Sequence, residues 1–412
     1  MKSLMNNYIT KIEGHGNLKV NFNNEKVELH VEEGERLFEG LILGRYFEDG
    51  PIITARICGV CPTAHTFASI TALENALDIK VSDHIATLRK VMLSLQIFQS
   101  HVLHLFFLAI PDYLGIDNSL ELATANPEVF NTVLSLKRLA DEGIELIGGR
   151  PIHPITAVVG GFTKLPEYKD LDEYKKKIEK SLIHAIEAAK IFKTVKYPEV
   201  ENEKEYLALL GSNYPLTGEV VVSSLGKGFE VKDYQKVVTE TVKSYSTAKF
   251  STKDGKGFMV GAISRLNLKY PLLNKEAFGL AEGEFPTHNP FKNNLAQAIE
   301  LVHYMEEIIE LIGSLKDADL SHARDQFEVK AGVGAGCIEA PRGLLFHYYE
   351  LNSKGIITKC DIITPTALNL TSIEDDAEAV LKTNGGISQA KREHELEMLV
   401  RAYDPCITCS VH

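Results

Sequence analysis

The chain has 412 residues, a formal net charge of −12 and 44% hydrophobic residues, an ordinary globular composition. Its acidic balance argues against nucleic acid or an anionic membrane surface as the main partner. Six cysteines are too few for a disulfide scaffold. Length alone would allow two or three domains of about 150 residues, yet no linker-like stretch supports a split, so 1–412 is expected to form a single domain. The longest uninterrupted apolar run, Leu105 to Ile110, stops at Pro111, far short of the ~18 residues that span a bilayer. Met1 to Asn7 hold no signal-like apolar stretch, and a cytoplasmic location is expected.

Residues 8–35 alternate apolar and polar side chains around Asn23-Asn24, which predicts a β-hairpin. The preceding Lys11-Ile12-Glu13-Gly14-His15-Gly16 flanks a carboxylate and a histidine with glycines. That pattern fits either a solvated turn or a bend that aims those side chains. A short helical stretch containing Glu39 follows and ends at Gly44-Arg45. Next come Cys58 and Cys61, with His65 four residues on and a helical pattern to Leu77. Cys61 is therefore expected at a helix N-terminus, where the dipole and free N–H groups favour a thiolate.

Residues 83–110 read as a long helix, apolar on most faces and so buried. It carries His101 and His104 on one face, a spacing that a metal could use but that core histidines use more often, and Pro111-Asp112 is expected to end it. Residues 127–147 and 171–195 are amphipathic helices, separated by the glycine- and proline-rich run 148–161, expected to be a close-packed loop. Residues 200–290 are mixed, with a strand-like Glu219 to Val222, and 294–315 is again helical.

The glycine-rich run Gly332 to Gly343 is not a phosphate-binding loop, since no Gly-Lys-Ser/Thr follows. Strands are predicted over 343–350 and 356–363, which would carry Arg342 into the interior, a costly place unless anionic groups meet it. Thr364-Pro365-Thr366 reads as a turn, and a helix over 388–403 delivers Cys406 and Cys409. The whole is expected to be an α+β fold, a long-helix bundle core with small peripheral sheets.

Each end of the chain thus carries a Cys-x-x-Cys pair, and Cys58 and Cys406 are 348 positions apart. Closing so long a loop costs little more than closing a short one, because the cost grows only logarithmically. Four thiolates admit structural zinc, an iron–sulfur cluster or a catalytic nickel–iron centre. Zinc pairs usually lie about 15–20 residues apart, and this separation departs from that habit.

Together these residues resemble the large subunit of nickel–iron hydrogenases, over about residues 8–412. The motifs are Lys11-Ile12-Glu13-Gly14-His15, Arg56-Ile57-Cys58-Gly59-Val60-Cys61 with His65, Gly149-Arg150 with His153, Glu339-Ala340-Pro341-Arg342-Gly343, and Asp404-Pro405-Cys406 through Cys409 to His412. The resemblance implies that Cys58 and Cys406 are terminal nickel ligands and that Cys61 and Cys409 bridge nickel to an iron carrying carbon monoxide and cyanide. Arg342, Pro365 and Thr366 would pack against those diatomic ligands, and His65 would hydrogen-bond a bridging sulfur. Glu39, His412 and the carbonyl of Ile362 would hold a magnesium-type ion. The end at His412 resembles the form left by the family's maturation protease.

The implied reaction is the reversible heterolytic cleavage of dihydrogen, with Cys406 as the local base and Glu13 relaying the proton outward. Cys337 and Cys360 are isolated in sequence, so iron–sulfur clusters would belong to a small partner subunit. The wording is most similar to cytoplasmic NAD(P)-linked hydrogenases, including sulfhydrogenases, with further subunits binding flavin and NAD(P); the coenzyme F420-linked branch is the rival. The related quinone-reductase subunit of respiratory complex I lacks the nickel thiolates, all four of which are present here. A structural zinc protein would instead hold zinc with neither nickel nor iron.

Overall fold

The computed structural model describes residues 4–211, 213–383 and 387–412, so Met1 to Ser3 of the N-terminal stretch lie outside the described residues. Four long helices, Asp83–Leu103, Pro127–Gly148, Tyr168–Thr194 and Asn293–Ser314, pack together as the expected bundle. Asp83–Leu103 does not end at the proline: it widens into a π turn, His104–Ala109, and continues as Ile110–Leu114. Pro111 thus lies inside a continuous helix, and the π turn just before it is where the helix adapts to a residue that has no N–H to give the ladder. By length and composition Asp83–Leu114 could cross a membrane, but 83% of its most apolar window is buried inside the molecule. It is a core helix.

The glycine-rich run, in which the alternation marked no strand, is one. Gly332–Ala340, Gly343–Leu351 and Ile357–Ile363 form a three-stranded antiparallel sheet in that order. The glycines at every second position face helix Pro62–Leu77. A Cβ on Gly332 would stand 1.8 Å from the Ala76 carbonyl oxygen, one on Gly334 2.2 Å from that of Ala72, and one on Gly336 2.6 Å from the Ala72 nitrogen. Strand backbone therefore lies directly on helix backbone. Gly334→Ala is expected to destabilise the protein by about 3 kcal/mol, the upper end for overpacking, because the obstructing atoms are backbone; a denaturant titration measures it.

The same sheet positions Arg342. Ala340 pairs with Gly343, so Pro341-Arg342 is a two-residue turn at the sheet's end, with Gly343 at φ +125° against Val260 and Gly261.

The N-terminal hairpin forms as expected from Gly16–Asn21 and Lys26–Val31, with Leu4–Tyr8 added as a third strand. Val220–Ser223 is a strand of a separate four-stranded sheet. Thr364-Pro365-Thr366 does not merely turn: Pro365 opens a 19-residue helix, Pro365–Thr383, a position that suits proline's fixed φ. Gln389–Ala402 is helical as predicted. One buried apolar cluster runs from Ile9 to Val411, and the two ends of the chain meet: Ile407 N donates to Glu13 O at 3.0 Å and Arg36 N to Val411 O at 3.0 Å.

Candidate metal centre

The first cysteine pair sits where the chain passes from a short turn, Ala55–Ile57, into helix Pro62–Leu77. Cys61 stands just before that helix, as expected. The free amides, however, serve Cys58: Val60 N and Cys61 N lie 3.2 and 3.3 Å from the Cys58 sulfur. Gln96 braces this loop, accepting from Thr63 N at 3.0 Å and donating to Val60 O at 2.9 Å. The second pair follows Asp404, whose left-handed φ of 51° turns the chain out of the C-terminal helix. Arg36 joins the two loops by donating to the carbonyls of Ile57 and Thr408.

The four sulfurs lie within 4.8 Å of one another, all buried. Cys58 Sγ is 3.3 Å from Cys406 Sγ, and Cys61 Sγ is 3.6 Å from Cys409 Sγ. Within the thiol cluster, sulfur hydrogen bonds, that from Cys406 foremost, push Cys58 well below the usual thiol range. Burial pushes Cys406 and Cys409 well above it. Such a cluster cannot hold four thiolates unless a cation joins it, and a bound metal ion supplies that charge.

Arg342 alone does not balance four thiolates. Its Nε donates to Asp404 O at 2.6 Å and its Nη2 to Asp404 Oδ1 at 2.9 Å, so Asp404 is the anion that accompanies the buried guanidinium. Its Nη1 is buried without a partner, a donor left for another group. Gln297 holds Asp404 from the other side, donating to Oδ2 at 3.1 Å. Thr366 Oγ1 accepts from Cys406 N at 2.9 Å, and Pro365 is buried beside it.

The bend at Gly14 aims one of its two flanking side chains and leaves the other in water. Glu13 Oε2 lies 3.0 Å from Cys406 Sγ and accepts from Thr408 N at 3.2 Å. His15 is exposed and touches Glu33. Gly14 has φ +83°, and a Cβ there would stand 2.7 Å from the Glu33 carboxylate and 2.8 Å from Ile407. A buried ion triad anchors the stretch: Asp112 receives Lys11 Nζ at 2.6 Å and the Arg401 guanidinium, which also donates to Thr10 O. Arg401 and Asp112 are each 2% exposed. Asp112→Ala leaves that guanidinium to Glu397, at 3.4 Å, and is expected to cost about 3 kcal/mol, the lower end for a broken buried pair, read as a lower unfolding midpoint.

The remaining predicted residues fall in two places. Cys409 Sγ is 3.8 Å from His65 Nε2. On the outer side, Glu39 Oε1 accepts from Ile362 N at 2.8 Å, Ile362 O lies 2.7 Å from His412 Nε2, and His412 Nδ1 lies 2.8 Å from Cys409 O. Arg56 is exposed. His101 and His104 are core histidines: His101 pairs with Glu300 at 2.7 Å, and His104 lies between Gln297 and the carbonyl of Arg401. Cys337 and Cys360 lie on strands outside the thiol group.

Four thiolates fit zinc as readily as nickel. Likeness to known proteins separates them. Residues 36–141 and 227–412 match the family described as nickel-dependent hydrogenase. The chain belongs to that family. It is 35% identical to the alpha subunit of sulfhydrogenase 1 from Pyrococcus furiosus, over 98% of this chain and 96% of the relative. It is 31% identical to an F420-non-reducing hydrogenase subunit from Methanococcus voltae, over 98% of this chain and 94% of that relative. A solved structure of an NAD+-reducing NiFe hydrogenase superposes with a TM-score of 0.87 at 25% identity, covering 98% of each chain. The protein is thus the catalytic large subunit of a nickel–iron hydrogenase, and its four clustered cysteines form the metal site.

Sequence reasoning passed over Arg36, Gln96, Gln297 and His347, the last 3.4 Å from His65. Each is a polar side chain that is buried or tied to the backbone of a cysteine loop. The only signal was a polar residue inside an apolar pattern, as at Gln96 and Gln297.

Proposed function

We propose that this subunit cleaves dihydrogen heterolytically and reversibly, with Cys406 and Glu13 handling the proton, and that it passes the electrons to an iron–sulfur partner. The observation that carries this reading is the 3.0 Å contact between Glu13 Oε2 and Cys406 Sγ. A half-buried carboxylate on a fully buried thiol can take a proton at one oxygen and release it toward solvent. The nickel–iron centre, when bound, supplies the redox chemistry. Cys58 and Cys406 would hold nickel terminally, and Cys61 and Cys409 would bridge it to iron. Arg342, whose Nη1 is buried without a partner, would offer that donor to the iron's carbon monoxide and cyanide, with Thr366 and Pro365 beside it. Glu39, the Ile362 carbonyl and His412 converge in a way that suits a magnesium-type ion.

Electrons leave through the partner, and the exposed Ile52, on helix Asp49–Thr54 just ahead of the first cysteine loop, offers it an apolar contact. We read the acceptor as NAD(P), reached through flavin-binding subunits of a cytoplasmic complex; the likeness to an NAD+-reducing hydrogenase and to an F420-non-reducing one supports this over coenzyme F420. The test is isotope exchange. The purified complex under D2 in H2O is expected to release HD and H2 without any added electron acceptor. No exchange in a sample holding one nickel and one iron per chain would overturn the reading.

A further inference from the structure

From Cys409, not from the Cys406 sulfur that Glu13 touches, a line of polar side chains runs back into the glycine-rich sheet. Helix Pro62–Leu77 supplies His65 and Ser69, and strand Gly343–Leu351 supplies His347 and Tyr349, two apart on one face. All four are fully buried. From the metal site outward, Cys409 Sγ is 3.8 Å from His65 Nε2, and His65 Nδ1 is 3.4 Å from His347 Nε2. His347 Nδ1 is 3.1 Å from the Tyr349 hydroxyl, which is 2.9 Å from Ser69 Oγ. None of these hydrogen bonds ends on a carboxylate. Both rings are 0% exposed and neither has a carboxylate partner, so nothing in the line stabilises a buried imidazolium and both rings are taken as neutral.

Two neutral imidazoles in a row share one hydrogen between them, and the line can be polarised only one way at a time. If it pointed outward, Cys409 would have to donate. A metal-bound thiolate has no hydrogen to give, and the His65 lone pair would then face an anionic sulfur. Pointed inward, every acceptor is satisfied. Ser69 O–H donates to the Tyr349 oxygen, Tyr349 O–H to His347 Nδ1, His347 Nε2–H to His65 Nδ1, and His65 Nε2–H to Cys409 Sγ.

We propose that His347, backed by Tyr349, is a positioning residue that fixes His65 as the Nε2–H tautomer aimed at the Cys409 sulfur. This rests on the reading of Cys409 as a bridging thiolate. Its consequence is electronic as well as steric: a hydrogen bond held on that sulfur withdraws charge from the metals it joins, as outer partners of metal ligands do.

Two readouts test the proposal on the holo complex. In a diamagnetic preparation, whatever ion the thiolates hold, long-range proton–nitrogen spectra of ring-labelled histidine are expected to show His65 protonated at Nε2 and bare at Nδ1. Protonation at Nδ1 overturns the proposal. In the infrared, His347→Phe is expected to move the carbonyl band to lower wavenumber and to weaken nickel retention against a chelator about 10-fold. His347→Gln, whose amide can donate to His65 Nδ1, should restore both. Tyr349→Phe removes one hydroxyl and serves if His347→Phe does not fold; a smaller shift in the same direction is expected. Unshifted bands in these variants, with nickel at one per chain, also overturn it. Absence of nickel and of any carbonyl band in the unsubstituted protein refutes the metal-site reading instead, and the tautomer spectrum still decides the relay.

Discussion

Glu13→Gln is expected to lower hydrogen turnover and D2 exchange by about 100-fold or more, within the range that a positioned acid–base group contributes, while nickel and iron stay bound. The substitution keeps an oxygen for Thr408 N, which now donates to Glu13 Oε2 at 3.2 Å, so the loop has no reason to move. What it removes is a group that can take a proton at 3.0 Å from the Cys406 sulfur and release it on the half-buried side. Exchange rates and metal content measured on one preparation separate the two effects. Normal exchange would mean that another group carries the proton. A loss of metal would mean that the carboxylate holds the C-terminal loop rather than the proton.

Cys406→Ser is expected to abolish hydrogen uptake and to lower nickel content below one per chain. Cys406 is 1% exposed and lies 3.3 Å from Cys58, 2.8 Å from Cys409 and 3.0 Å from Glu13, so it joins the thiol cluster to the proposed proton acceptor. A serine oxygen is a hard donor in a set chosen for soft metals, and it cannot reproduce a thiolate's affinity or basicity. Nickel analysis with an uptake assay checks this, and full uptake by the variant would sink the catalytic assignment.

Much of the site was legible because its parts are local in sequence. Each cysteine pair is a four-residue motif, and Gly14 next to Glu13 marks a bend whatever lies around it. The helices of the bundle were legible from period and length, since apolar residues recur on one face or, in 83–110, on most faces. What escaped depends on partners far along the chain. Gly332, Gly334 and Gly336 gave no strand signal because the helix that they pack on as a strand, carrying Ala68, Ala72 and Ala76, lies more than 250 residues earlier. Pro365 read as a turn because proline both breaks helices and begins them. His347 was hidden in an alternating strand, where one polar residue facing inward looks like one facing water until the sheet is placed against helix Pro62–Leu77. The residues that support ligands are thus harder to read than the ligands, because their spacing follows the fold and not the metal.

The measurement closest to the central claim is an infrared spectrum in the carbon monoxide and cyanide stretching region, with nickel, iron and zinc counted on the same sample. A single carbonyl band, a pair of cyanide bands and nickel and iron in equal amounts, one of each per chain, are the predicted result. Zinc at one per chain with no such bands would contradict it.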